Sequence, residues 1–166
     1  MPRTRTIPDA TVFAAVQRLL DEGGDKAVSF GAVGKLTGLA PPTLVQRYGS
    51  RDGMVRAARH AAWDGLERRT GEAMAGTADK GPQGLLKAIG PVNTATLADD
   101  LRDPELAERA TAWRMGVETA LTLRLGAGQK AHEAAALLFA AWQGQALWSG
   151  AGEPGFRLKD AVKRLT

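Results

Sequence analysis

The sequence predicts an all-α fold, and three observations carry that prediction. Ala, Leu, Arg and Glu dominate in windows of helical period. Val, Ile and Thr seldom alternate with polar residues, so no stretch reads as a strand. No segment repeats another along the chain. The expected architecture is a small N-terminal domain over residues 1–55 and a larger helical domain over 56–166.

The 166 residues suffice for two domains with a real core. Cysteine is absent, which removes disulfides and thiol chemistry. The opening MPRTRTIPDA lacks the apolar stretch of a secretory signal. The longest apolar run, Ala134 to Trp142, is too short to span a bilayer. The expectation is a cytoplasmic protein with no membrane partner. Net charge is +4. Residues 1–56 hold eight Lys/Arg against five Asp/Glu, and the remainder is nearly balanced. The excess positive charge on the N-terminal part has the sign that attracts phosphate.

Taken in order, Arg3 and Arg5 give the first residues a basic arm. A first helix is expected from about Pro8 to Glu22. Val12, Phe13, Val16, Leu19 and Leu20 form its apolar face, and Gly23-Gly24 stops it. Ser29 is a good N-cap for a second helix, in which Phe30, Val33 and Leu36 are expected inward. Gly31 and Gly34 lower its helix propensity but let a neighbouring helix approach closely. Thr37-Gly38-Leu39 makes a turn, with Gly38 best suited to a positive φ. Ala40-Pro41-Pro42-Thr43 opens a third helix, where proline is tolerated because first-turn N–H groups lack intrahelical partners. Leu44, with Val45 or Tyr48, points inward or along the edge. Thr43, Gln46 and Arg47 form the polar face. Gly49 ends this helix, and Ser50 caps a long fourth one with Asp52 in its first turn. Met54, Val55, Ala58, Ala62 and Leu66 are its expected inward stripe.

Two short helices joined by a tight glycine turn have the form of a helix-turn-helix, whose second helix enters the major groove. Gln can pair with adenine and Arg with guanine through two hydrogen bonds each, and the Thr methyl can meet that of thymine. The candidate DNA-facing set is therefore Arg3, Arg5, Ser29, Pro41, Pro42, Thr43, Gln46, Arg47, Tyr48, Ser50 and Arg51.

Beyond a loop at 76–82, the chain reads as helical from Gln83 to Asp100, broken or kinked at Gly90-Pro91. Asp103-Pro104 is a clean helix start. Leu106, Ala110, Trp113, Val117 and Leu121 follow on one face, and Gly126-Ala127-Gly128 ends the helix. The next helix, Gln129 to Ser149, is apolar on every side over 134–142 and is expected to be buried all round, which a partner subunit would supply. Phe156 to Leu165 is a last amphipathic helix. Trp63, Trp113, Val117, Phe139 and Trp142, with Arg114 and Gln143 as polar groups, are the candidate lining of an apolar ligand pocket.

Enzyme chemistry finds little material. The histidines are His60 and His132 alone, and none of the serines, Ser29, Ser50 and Ser149, lies in a Gly-x-Ser-x-Gly setting. Gly34-Lys35 lacks the remainder of a phosphate loop. Asp99, Asp100 and Asp103 read as loop and cap rather than a cation site. No cofactor, metal or catalytic residue is expected.

The pattern resembles the TetR family of bacterial transcriptional regulators, most strongly from Val12 to Val55. The resemblance lies in Val33-Gly34-Lys35-Leu36-Thr37-Gly38-Leu39-Ala40, then Pro42-Thr43-Leu44, then Tyr48-Gly49-Ser50-Arg51-Asp52. Val45 stands where the family often has a phosphate-touching Tyr, and Arg51 replaces a Lys. The resemblance implies a homodimer joined through the late helices, with Leu138, Ala141, Gln145, Trp148, Leu158, Val162 and Leu165 at the interface. It also implies a pseudo-palindromic DNA operator and a small-molecule effector that releases a repressor, and the aromatic residues of the second domain point to an apolar effector rather than a highly charged one. Alternatives are a helical DNA-binding protein with no effector and, further off, a small helical enzyme.

Overall fold

Helix boundaries in the computed structural model, which describes residues 7–153 and 155–165, fall where capping chemistry places them. The described residues hold nine α-helices and no strand, so the fold is all-α. No helix among them is long and apolar enough to cross a membrane. The chain divides into two compact units, one ending at Gly65 and the other beginning at Leu66.

In the first unit, α1 (Asp9–Gly23) ends at Gly24, whose φ of 68° only glycine adopts readily. A 3-10 turn (Asp25–Ala27) leads to α2 (Phe30–Thr37), α3 (Pro41–Tyr48) and the start of α4 (Arg51–Gly76). The core is Val12, Ala15, Val16, Val28, Val33, Leu44, Met54, Val55 and Ala58. Phe13, Leu19, Leu20, Phe30, Leu39 and Tyr48 pack around it, half-buried. Two inward expectations are corrected. Leu36 is exposed, because the turn after Thr37 carries the chain away before it can be covered. Ala62 is also exposed, at one edge of an open groove between α1 and α4. Ala10, Ala14, Ala58, Ala61 and Ala62 line that groove and are too small to close it.

In the second unit, the expected break at Gly90-Pro91 separates α5 (Pro82–Ile89) from α6 (Thr94–Asp100). Asn93 caps α6, its side-chain oxygen accepting from the N–H groups of Ala95 and Thr96. Asp103 does the same for α7 (Pro104–Leu125), accepting from Glu105 and Leu106. Leu106, Ala110, Trp113, Val117 and Leu121 are all buried, as their spacing requires. The α7 helix packs along α8 (Gly128–Trp148), and α9 (Leu158–Leu165) packs on α8 and α5. Arg109 donates to both oxygens of Glu67 at 2.7 and 2.8 Å, tying α7 to the end of α4. Arg124 reinforces that join through the carbonyls of Met74 and Thr77.

The α8 helix is not buried all round within this chain. Ala131, Ala134, Ala135, Leu138, Phe139 and Trp142 face inward, while Leu137, Ala140, Leu147 and Trp148 are exposed. The neighbours of α8 within this chain, α7 with α6 and α9, leave that outer stripe uncovered.

Candidate nucleic-acid interface

The α2–α3 pair is fixed by four small features. The Ser29 hydroxyl accepts from the Ala32 N–H at 3.0 Å and caps α2. The Thr37 hydroxyl donates to the Val33 carbonyl at 2.8 Å and accepts from the Leu39 N–H at 3.3 Å. Gly38 takes the left-handed conformation, φ 77° and ψ 7°. Gly34 supplies the close approach: a Cβ there would lie 2.6 Å from the Leu39 carbonyl oxygen. A Cβ at Gly31 would meet only the Ser29 hydroxyl oxygen, at 3.9 Å, an ordinary contact, so only one of the two helix-interior glycines is required by packing.

Ala40, extended, precedes the first turn of α3, and Pro41 and Pro42 fill that turn. The i, i+3, i+4 and i+7 spacing then divides the helix. Leu44 is fully buried and Tyr48 packs on the core. Pro42, Val45, Gln46 and Gly49 form one exposed ridge, with Thr43 half-buried at its flank. The Gln46 and Thr43 side chains have no hydrogen-bond partner among the described residues. Val45 is thus outward, and Tyr48 is the residue of that pair that turns in.

Arg47 and Arg51, the arginines of the candidate set among the described residues, are bonded to the protein itself. Arg47 Nη1 donates to the Ile7 carbonyl at 2.8 Å and lies 3.6 Å from Asp9 Oδ1. Tyr48 donates its hydroxyl proton to Asp9 Oδ1 at 2.6 Å, and its ring centroid is 6.0 Å from that of Phe13. Burial, then the Asp9 carboxylate, pushes the Tyr48 phenol up to about 12, so the hydroxyl stays a donor across the physiological range. Arg51 binds the Val28 carbonyl at 3.2 Å, the Asp52 carboxylate at 2.8 Å, and both the carbonyl and carboxylate of Asp25. The hydrogen bonds it donates to the Asp52 and Asp25 carboxylates raise its pKa further. It clamps the 3-10 turn to the start of α4, and every guanidinium nitrogen is engaged.

Ser50 accepts from the Gly53 N–H at 2.9 Å. Like Ser29, it is exposed and keeps its own hydroxyl proton free to donate outward. Arg3 and Arg5 lie outside the described residues. Lys26 and Lys35 are exposed, with no side-chain partner among the described residues. Sequence reasoning passed over both. Lys35 was legible as the residue one turn beyond Gly31 on the α2 face opposite Phe30 and Val33.

Among the candidate ligand residues, Trp113, Phe139 and Trp142 form one cluster, with ring centroids 5.7, 6.4 and 5.8 Å apart. The Trp113 indole N–H donates to the Thr70 hydroxyl at 2.9 Å. Val117 is fully buried. Arg114 is exposed, paired with Glu118 at 2.7 Å and 6.0 Å from the Phe139 ring centre. Trp63 is buried and belongs to the first unit. Both amide atoms of Gln143 are shielded from solvent and have no hydrogen-bond partner among the described residues.

Among the candidate interface residues, Leu138 is 0% exposed and belongs to the core of its own unit. Trp148 is 68% exposed. With Ala141, Gly144, Gln145 and Phe156 it lines an open groove of about 480 Å³. Gln145 donates to the Phe156 carbonyl at 2.9 Å. Leu158, Val162 and Leu165 are half-buried on α9. No group of His, Asp and Glu that could hold a metal ion occurs among the described residues. No family model matches the chain, and no curated protein or solved structure is found similar to it.

Proposed function

We propose that this chain is a TetR-like DNA-binding transcriptional regulator, a homodimeric repressor released from a pseudo-palindromic operator by a small, largely apolar ligand. In this reading the first unit is a helix-turn-helix domain and the second an effector-binding and dimerisation domain. The observation that carries it is the outer ridge of α3, where Val45 and Gln46 stand exposed and the Gln46 amide is unpartnered. A rigid helix held by Leu44 and Tyr48 gives that ridge one orientation, as base reading requires.

Gln46 pairs with adenine through its amide, while Val45 and the Thr43 methyl meet thymine methyls. Lys35 and Lys26 neutralise phosphates, and the Ser29 and Ser50 hydroxyls donate to phosphate oxygens. Arg51 holds the frame on which these groups sit. The exposed apolar face of α8, with Leu137, Leu147 and Trp148, is the dimer surface. Pairing two copies gives two recognition helices and doubles the bases read. The effector half of the reading draws on Gln143. An amide buried without a partner costs about 1–3 kcal/mol, which a ligand with one hydrogen-bonding group in an otherwise apolar body would recover.

A gel shift on the DNA upstream of the chain's own coding region tests the reading. Retardation at low salt, weakened steeply by added salt, is expected. Absence of binding to any fragment at low salt would overturn it. Melting curves against a metabolite and drug panel test the effector separately, since a ligand that binds only the folded state raises Tm.

A further inference from the structure

The exposed ridge of α3 is more apolar than its one amide suggests. Pro41, Pro42 and Val45 all stand exposed in its N-terminal half, Val45 by 44%. Helical spacing puts Val45 one turn beyond the two prolines, so the three make one apolar strip beside Gln46. The main chain adds no free donor there. Proline has no N–H, and the N–H groups of Thr43 and Leu44 both donate to the Ala40 carbonyl, at 2.9 and 3.4 Å. The first turn of α3 therefore does not offer a phosphate the N–H groups that a helix N-terminus usually presents. The strip nevertheless sits in cationic surroundings: from Ser29 to Ser50 the chain carries Lys35 and Arg47 and no acidic residue. That charge fits a polyanion, and the strip itself needs an apolar feature of that polyanion. In the major groove of DNA this feature is the methyl group at C5 of thymine.

We propose that Pro42 and Val45 are specificity-determining residues that read the C5 methyl group itself, whichever pyrimidine carries it, so that the chain accepts 5-methylcytosine in place of thymine at the positions they face. The inference rests on the DNA-binding reading and adds to it a dependence on cytosine methylation. The C5 methyl occupies the same place in the major groove on thymine and on 5-methylcytosine. Van der Waals contact with it makes no hydrogen bond that would tell the two bases apart. Gln46, by contrast, discriminates through its amide.

The test uses the full chain and a duplex that it selects from random double-stranded DNA at low salt. Resynthesis of that duplex with deoxyuridine for one thymidine at a time removes a methyl and leaves every hydrogen-bonding group of the base pair in place. At the positions facing Pro42 and Val45 the change is expected to weaken binding about fourfold, the worth of one buried methyl. At the same positions 5-methyldeoxycytidine, paired with deoxyguanosine, is expected to bind about fourfold more tightly than deoxycytidine. Pro42→Ala and Val45→Ala, both at exposed positions, are each expected to abolish the methyl effect at one position per half-site and to leave it elsewhere. Binding that no deoxyuridine changes would overturn the inference and leave the DNA-binding reading standing. A deoxyuridine penalty of equal size in the wild type and both variants would overturn it as well, because the methyl would then act through another residue or through the shape of the DNA. If the chain selects no duplex at low salt, the DNA-binding reading fails and this inference with it.

Discussion

Tyr48 shows how much a single side chain settles in the first unit. Its ring packs on the core and its hydroxyl binds Asp9, so it fixes the end of α3 from both directions. Tyr48→Phe is expected to cost about 1 kcal/mol, the worth of one hydrogen bond, measured by chemical denaturation. The pH dependence has a definite sign. The folded-state pKa of about 12 lies above the ordinary 10.0, so the stabilisation is complete below pH 10 and is lost as pH rises toward 12. The difference between the wild type and Tyr48→Phe should shrink over that window. At Gln143 the expected sign is reversed. Gln143→Leu removes an unsatisfied amide and should raise Tm, while abolishing any shift produced by the effector; a lowered Tm would mean that the amide is satisfied in solution. Neither the Arg47 nor the Arg51 orientation was legible in the sequence. Each depends on a carbonyl or carboxylate more than twenty residues away, and local spacing carries no information about such partners.

At the scale of elements, the sequence was far more informative. Ser29, Gly38, Gly90-Pro91 and Asp103-Pro104 mark boundaries through local backbone chemistry, and the helices begin and end at them. Face assignments held where neighbours lie on the expected side, as along Leu106 to Leu121. They failed at Leu36, Ala62 and around α8, where apolar content does not reveal which side a neighbour covers. The α2–α3 turn offers a direct check. Ala is a better helix former than Gly, yet Gly34→Ala would drive a Cβ into the Leu39 carbonyl. The expected result is a loss of about 1–3 kcal/mol, as for overpacking, whereas Gly31→Ala, which makes only an ordinary contact with the Ser29 hydroxyl, should be neutral or stabilising by about 1 kcal/mol. Comparing the two midpoints in denaturant separates packing from propensity.

For the whole molecule, the proposal requires two copies. Leu137, Leu147 and Trp148 leave an apolar stripe on α8, beside the groove lined by Ala141 and Gly144. Light scattering after size exclusion should give twice the chain mass at micromolar concentration. Trp148→Lys should shift the population to monomer without unfolding it, because Trp148 contributes little to the core of its own chain. A wild-type monomer would remove the basis for a two-fold operator. The central claim, that the outer ridge of α3 reads bases, is tested most directly by the position-specific preferences of the wild type and Gln46→Ala on selected double-stranded DNA. The account predicts a symmetric site in which Gln46→Ala relaxes an adenine preference at one position per half-site, by about 1–3 kcal/mol, and leaves other positions unchanged. Identical preferences for the two proteins, or uniform weakening at every position, would contradict it.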